Sequence, residues 1–318
     1  MPAISVVITN YNGKHFLEAC LNSLERQAFK DFEVILVDNG SSDGSLEYVR
    51  ENFPAVRIIA LAENLGFCGG NNVGIREARG EYIALLNNDA EAHPRWLEEL
   101  KNALDNHNDV GFCASKMFLQ DQPGIIDAAG GIFYSCGVGA QRGYREREDG
   151  RFGEAEYVFS ACAGAAIYRQ KMLDDIGLFD EDFFAHGEEV DLSFRAQLRR
   201  YKCLFVPTAV VHHTGGGTMK HDSDERRYLW HRNRFYVLVK NMPADLLIKN
   251  LFPIVCYSFL RDVSWFLQGK GRVVLRVKLD SLKNFKKMLQ KRKDIQQRRK
   301  VSSQYIESIM TGKWWSAL

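Results

Sequence analysis

The chain of 318 residues contains no Cys-x-x-Cys pair, and its seven cysteines are odd in number and scattered from Cys20 to Cys256. Neither a disulfide framework nor a zinc ribbon is built that way, so a reducing compartment is expected. The start runs from Met1-Pro2 straight into Ile4-Ser5-Val6-Val7-Ile8, without the basic stretch and apolar run of a secretory signal, and a cytoplasmic location is expected. No apolar run is a comfortable membrane span either. Residues 244–267 come nearest, but Lys249, Asn250, Arg261 and Asp262 interrupt them, and a charge at bilayer depth costs about 2.5–3.5 kcal/mol. Interfacial or packed helices are expected there instead. Internal repeats and low-complexity tracts are absent, which sets aside repeat architectures.

Net charge is scarce as well, +2 overall, but it is unevenly placed. Residues 268–300 hold thirteen Lys/Arg and two Asp, a local balance of +11 that leaves −9 for the rest. Within that stretch Val274, Leu275, Leu279, Leu282, Phe285, Met288 and Leu289 recur near helical spacing. A basic amphipathic helix of this kind suits the face of an anionic membrane, while a packing or dimerisation helix is the blander reading. Nucleic acid is not an expected partner, because the acidic body offers no extended basic groove.

What is present is a hydrophobic content of 46%, enough for a full α/β core with an appended segment. Strands are predicted over 4–9, 33–37, 56–61, 82–86 and 110–116, alternating with helices over 16–27, 45–52, 71–79 and 94–106. That order predicts a mostly parallel sheet flanked by helices. Residues 117–156 are glycine-rich and charged, and read as loops or hairpins outside the core, in the manner of an acceptor-facing lid. Pattern returns over 157–162, in helices over 171–176 and 189–201, and in strands over 203–206 and 210–212. A boundary is expected near 225, separating a catalytic domain (a nucleotide-binding half, 1–116, and an acceptor half, 117–225) from a helical, basic extension over 226–318.

Open parallel sheets bind ligands beyond the carboxyl ends of their strands. Polar residues stand there: Thr9-Asn10-Tyr11, Asp38-Asn39-Gly40 and Asn87-Asn88-Asp89. Asp38 can accept a hydrogen bond from a base imide or a ribose hydroxyl, whereas Asp43 or Ser45 caps the following helix. One carboxylate, Asp89, suffices for a divalent cation when a diphosphate completes the oxygen shell. The segment from Phe183 to Asp191 places Glu188, Glu189 and Asp191 at a helix start, where the dipole favours acids and aromatic neighbours can raise one toward a general base. His212 and His213 lead from a strand into a glycine run and offer imidazole to a metal opposite Asp89.

Taken in order, these segments resemble the family-2 glycosyltransferases of GT-A fold, most closely their bacterial rhamnosyltransferase-like branch, over roughly residues 3–220. Ser5–Asn12 looks like that class's first strand, Val37–Gly44 like its nucleoside-binding turn, and Asn64–Gly74 like a glycine/asparagine loop of the branch. The resemblance implies nucleotide contacts from Thr9, Asn10, Tyr11, Asp38, Asn64, Gly66, Asn72 and Asn88. It implies that Asp89 is the retained ligand of an Asp-x-Asp motif for Mg or Mn, with Asn87 a neutral substitute for the first acid. His213, five residues before Thr218, matches the late metal-binding histidine, with His212 as the alternative. Gly164-Ala165-Ala166 and Gly177-Leu178-Phe179-Asp180 precede a catalytic pair written here Glu188-Glu189, whose second member is the base; Glu189 replaces the usual Asp. Gly164, Asp191 and His212 are candidate contacts to the donor or acceptor sugar.

The activity so implied is inverting, metal-dependent transfer of a sugar, rhamnose first, from a dTDP- or UDP-linked donor to a saccharide or lipid-linked acceptor in cell-surface polysaccharide synthesis. Peripheral contact with the inner membrane face through 268–300 accompanies it, and a homodimer is open. UDP-galactose, UDP-galactofuranose and UDP-N-acetylglucosamine are alternative donors, and a non-catalytic nucleotide-sugar-binding subunit is a further alternative. A nucleotidyltransferase is disfavoured, since Thr9-Asn10-Tyr11-Asn12-Gly13 is not the glycine-rich basic loop that holds a triphosphate.

Overall fold

Apolar runs without a polar break, such as Val6-Val7-Ile8 and Ile83-Ala84-Leu85-Leu86, form strands buried on both faces. The computed structural model describes residues 1–215 and 223–317. Its strands are β1 (Ile4–Asn10), β2 (Phe32–Asp38), β3 (Arg57–Ala60), β4 (Tyr82–Leu86), β5 (Ala90–Ala92), β6 (Val110–Leu119), β7 (Ile126–Ala129), β8 (Gly131–Phe133), β9 (Gly139–Gln141), β10 (Glu156–Val158), β11 (Ala165–Arg169) and β12 (Lys202–His213). The helices are α1 (Lys14–Glu25), α2 (Ser45–Asn52), α3 (Gly66–Glu77), α4 (Trp96–Asn106), α5 (Gln170–Ile176), α6 (Glu188–Leu198), α7 (Asp224–Asn241), α8 (Ala244–Lys249), α9 (Leu251–Leu267), α10 (Gly271–Gln297) and α11 (Ser303–Ser308).

The main sheet runs β10-β12-β6-β11-β4-β1-β2-β3, with β5 added to β12 and β7 to β6. Its β4-β1-β2-β3 half is parallel, in register from Ile4 opposite Phe32 to Asn10 opposite Asp38, so the two polar strand ends lie side by side. The pair β6 and β12 is parallel too, and β11 joins the halves by running antiparallel to both β4 and β6. One face of the sheet is covered by α1 and α4 through Leu17, Leu21, Leu24, Trp96, Leu97 and Leu100. The other face carries α3, α6 and α7.

Helix α3 begins five residues before the predicted 71, because the glycine/asparagine stretch is itself helical. A Cβ on Gly74 would sit 2.4 Å from Val7 Cγ1, so glycine lets this helix ride directly on β1. Residues 117–156 also depart from expectation. They do form short antiparallel strands, yet Ile126, Ala128, Ala129, Phe133 and Cys136 are fully buried, so half of the expected lid is core. The two short strands predicted over 203–206 and 210–212 are one strand, β12, with an irregularity between Val206 and Val210.

Residues 226–318 share the catalytic half's core: Tyr236, Met242, Leu246, Met288 and Ile306 sit in one cluster with Phe183 and Phe194. Position 225 therefore marks a change from sheet to helices and no break in packing. No described helix is long and apolar enough to cross a membrane.

The join between α6, α7 and α10 is ionic. Lys240, nearly inaccessible, donates to Asp191 (2.7 Å) and to Asp180, while Lys291 bonds Asp180 (2.5 Å) and Asp182 (2.6 Å). Burial alone would raise the Asp180 and Asp191 carboxyls, but Lys240, helped by Lys291 at one and Arg195 at the other, holds both below the usual carboxylate range. Their contribution to stability is thus present above the ordinary aspartate range and is lost only as pH falls below it. Lys240→Met is expected to lower unfolding stability by about 3 kcal/mol, the lower end for removing one partner of a buried pair, because Arg195 and Lys291 remain. The urea midpoint measures it, and an unchanged midpoint would contradict the ionic join.

Candidate active site

The carboxyl ends of β1, β2 and β4 are tied by one chain of buried amides. Asn88 Nδ2 donates to Asn10 Oδ1 (2.8 Å), and Asn10 Nδ2 donates to Asp38 Oδ2 (3.1 Å). Asp38 Oδ1 accepts from the Ser41 amide (2.9 Å), and Ser42 N donates to Asn12 Oδ1 (2.8 Å), which locks the turn after β1 to the turn after β2. A carboxylate has about four acceptor positions, so Asp38 keeps capacity for a ligand after these two bonds. Tyr11 and Thr9 stand half-buried beside it, and Thr9 Oγ1 is a buried oxygen without a partner among the described residues.

Asn64 extends this edge toward α3. Its Oδ1 accepts from Asn39 Nδ2 (2.9 Å) and from the Gly66 amide (2.8 Å). Gly66 has φ +73° and lies against Phe184, whose carbonyl accepts from Cys68 N (3.0 Å). Asn72 is placed differently. Its amide donates to Phe179 O and Glu181 Oε1 (both 2.9 Å) and its oxygen accepts from Phe179 N (3.0 Å), so it braces the loop before α6 and the implied nucleotide contact is not made by this side chain.

The implied metal ligands meet. Strand β5 pairs antiparallel with the end of β12, placing His213 opposite Ala90 and its Nε2 3.1 Å from Asp89 Oδ1. The other ring nitrogen, Nδ1, lies 2.8 Å from Asp127 Oδ2 on β7, and Asn87 Nδ2 lies 3.3 Å from Nε2. Because strand side chains alternate, His212 faces the other way: it is exposed and stacked on Phe118, and the choice between the two histidines falls on His213. Gly216, Gly217 and Thr218 lie outside the described residues.

Burial disfavours charge on His213, but the hydrogen bonds it donates to Asp127 and then to Asp89 outweigh it and push the imidazole up to about 10. Asp127 is thus a standing partner for Nδ1–H, leaving Nε2 as the nitrogen able to exchange its proton for a cation. Among the described residues no three His, Cys, Asp or Glu side chains are grouped as a metal cage. One carboxylate and one imidazole fit a divalent cation whose remaining positions are filled by diphosphate oxygens and water.

The acidic pair begins α6 after a contorted loop in which Phe184, His186 and Gly187 all have φ between +65° and +85°. Helix α7 holds that loop. Asn233 Nδ2 donates to the carbonyls of Phe183 (3.0 Å), Ala185 (2.9 Å) and His186 (2.6 Å), and Arg232 donates to those of Asp182 (3.0 Å) and Phe183 (2.9 Å). Glu188 is buried, and its Oε2 has no partner among the described residues; burial and then the charge of Glu189 push its carboxyl well above the usual range. Glu189 is half-buried and accepts from the Gly187 amide (3.1 Å), and burial raises it too.

Electrostatics separate the two. Beyond burial, Glu188 is the largest influence on Cys68 in α3, whereas Asp127 and then Glu189 act on Cys162, pushed up to about 12. Glu188 lies on the buried side of the helix start and Glu189 on its half-buried side. Asp191 is fully buried against Arg195 (2.9 Å), Lys240 (2.7 Å) and Asn241 (2.7 Å), so its candidate contact to a sugar is replaced by a structural ion cluster. Gly164 lies beside Asn87, accepting from its backbone amide (2.8 Å).

Sequence reasoning missed Asp127, Arg232 and Asn233. Asp127 had a signal, since it is the lone charged residue between Asp121 and Arg142. The α7 pair had none, because Arg and Asn on a helix read as solvated surface.

Residues 5–177 match the glycosyl transferase family 2 model. The putative glycosyltransferase EpsH of Bacillus subtilis is 29% identical over 220 residues, covering 67% of this chain and 60% of its own. The O-antigen biosynthesis protein RfbC of Myxococcus xanthus is 28% identical over 224 residues, 67% of this chain and 17% of its own. The chain thus spans between 17% and 60% of these curated relatives' lengths. Among solved structures, GalNAc-T7 with UDP, GalNAc and Mn2+ superposes with a TM-score of 0.60 at 17% identity, over 76% of this chain and 48% of that one, which supports the GT-A fold. These relatives support the family and leave the rhamnosyltransferase-like branch unselected. With more than half of its length matched to the family model, the chain belongs to glycosyl transferase family 2.

Proposed function

We propose that the protein is an inverting glycosyltransferase that moves a sugar from a nucleoside diphosphate to an acceptor hydroxyl, with Glu189 as the base. The observation carrying this reading is that the carboxyl ends of the parallel strands hold Asp38, joined through Asn10 to Asn88, next to the Asp89–His213–Asp127 relay, with the half-buried Glu189 carboxyl raised by burial. Asp38 and the Asn64 loop would receive base and ribose. Asp89 and His213 Nε2 would hold a divalent cation; when bound, it supplies charge neutralisation for the leaving diphosphate. Glu189 accepts the acceptor hydroxyl's proton as that oxygen attacks the anomeric carbon from the face opposite the diphosphate, which inverts the centre.

The Mn2+ and UDP held by GalNAc-T7 and the O-antigen role in RfbC's name support a metal, a nucleotide-linked donor and a cell-surface saccharide product. Rhamnose as donor sugar rests on the sequence resemblance, with UDP-galactose, UDP-galactofuranose and UDP-N-acetylglucosamine the competing donors. Thermal shifts with each nucleotide sugar, with and without Mn2+, discriminate them. A lipid-linked acceptor and peripheral membrane contact through 268–300 belong to the same reading.

Two outcomes test the site. Glu189→Gln is expected to lower kcat by on the order of 10²–10⁴-fold while nucleotide binding persists. In the unaltered enzyme kcat/KM rises with pH as Glu189 loses its proton, at a value above that of an ordinary glutamate; Glu189→Gln showing the same rate and limb would remove the base assignment. Asp127→Asn is expected to weaken Mn2+ binding in the presence of UDP by about 10–100-fold in calorimetric titration, through loss of the group that holds Nδ1–H. Unchanged Mn2+ affinity would reduce Asp127 to a packing role.

A further inference from the structure

Helix α9 inverts the usual rule for a surface helix. Eight of its seventeen residues are exposed, and all eight are apolar: Leu251, Phe252, Val255, Phe259, Leu260, Val263, Phe266 and Leu267. Phe252, Phe266 and Leu267 are 73%, 71% and 81% exposed, values expected of lysine and glutamate. The opposite side is fully used, since Tyr257 and Trp265 are buried and Trp265 packs with Val273 and Val277 of α10 against Tyr228 and Leu229 of α7. Ile248 on α8 and Trp315 near the end of the chain, 76% and 60% exposed, add to the apolar surface.

Helix α10 repeats the pattern with charge added. Leu275, Leu279, Leu282 and Leu289 form an outward stripe at helical spacing, flanked by exposed Arg272, Lys278, Lys283 and Lys286. Behind the C-terminal half of α9, a cavity of about 340 Å³ is lined by Arg226, Arg227 and Arg261 with Trp230, His231 and Trp265. An apolar face bordered by cations and tryptophan is the composition of an element lying in a bilayer interface.

We infer that the outward faces of α9 and α10 form a docking surface for an anionic bilayer, with Phe252, Phe259 and Phe266 among the acyl chains and the α10 cations on the lipid phosphates. The charge decides between a membrane and a second copy of the chain. A twofold contact through this face would set the exposed Arg272, Lys283 and Lys286 of one copy near those of the other, whereas anionic lipid complements them. The helices lie along the surface, since none described is fit to cross it. The surface moves the insertion from the basic segment 268–300 to α9, and gives the glycosyl-transfer reading a place to meet a lipid-linked acceptor without depending on its chemistry.

Vesicle sedimentation tests this with no measure of activity, so its failure leaves the transferase reading standing. The full chain is expected to sediment with phosphatidylcholine vesicles containing phosphatidylglycerol and at least tenfold less with phosphatidylcholine alone. Substituting Phe252, Phe259 and Phe266 together by Ser removes three exposed rings and is expected to weaken binding about a hundredfold or more, with circular dichroism unchanged. Lys283→Gln with Lys286→Gln alters no apolar residue, so it remains informative should the triple variant misfold; at about 1 kcal/mol per lysine it is expected to cost about thirtyfold at low salt. A chain that stays in the supernatant with anionic vesicles overturns the inference. So does light scattering that shows a dimer abolished by the phenylalanine substitutions, because the face then covers a second copy.

Discussion

The site depends on how one short loop is held. Residues 183–187 turn through three positions of positive φ and present several carbonyls inward, an arrangement that costs of order 1–3 kcal/mol for each strained non-glycine residue. A single side chain, Asn233, satisfies three of those carbonyls, and Arg232 from the same helix shares that of Phe183 and takes that of Asp182 just before the loop. Without α7 the loop has no reason to keep this shape, and Glu188 and Glu189 would reach water and ionise like ordinary acids. The C-terminal helices are therefore part of the machinery. Lys240 and Lys291 fasten them to Asp180, Asp182 and Asp191, just before and after the pair they position.

That dependence explains what was legible in the sequence. Apart from the short β5, the order of strands and helices through residue 116 followed from apolar runs alone, because strands buried on both faces leave an unmistakable signal. The strand-end motifs followed from topology, since a parallel sheet collects its carboxyl ends along one edge. Of the residues expected at that edge, Asp89 and His213 lie 3.1 Å apart, and Asp38 is joined through Asn10 to Asn88. Asn72 was named within the glycine/asparagine loop of the resemblance, and Asp191 as one of three acids at a helix start. Their side chains turn inward, to Phe179 and to Lys240, and no local pattern distinguishes an inward polar residue from one facing a cleft.

The residues that were missed act at long range. Asp127 meets His213 only because β7 folds back on β6 while β12 runs alongside, a pairing across 86 positions. Asn233 meets the loop across about 50 positions. Each is a polar residue whose partner is fixed by tertiary packing, so spacing in the chain carries no trace of it. The exposed face of α9 escaped for a related reason. Its apolar residues were visible, but nothing in the sequence says which of them the body of the protein leaves uncovered.

The glutamate at 189 is one methylene longer than the aspartate that the resemblance implies, and its surroundings act on that extra reach. Its Oε2 folds back to accept from the Gly187 amide at the head of its own helix, where the backbone dipole favours a negative charge. Burial acts in the opposite sense and wins, leaving the carboxyl raised. A shorter side chain reaches back to that amide less readily and would lie more fully in the apolar surroundings. The Gly187 amide thus acts on both position and basicity: it tethers the carboxylate to the helix end and favours its charge, and burial outweighs that second effect, so the carboxyl stays raised where it is held.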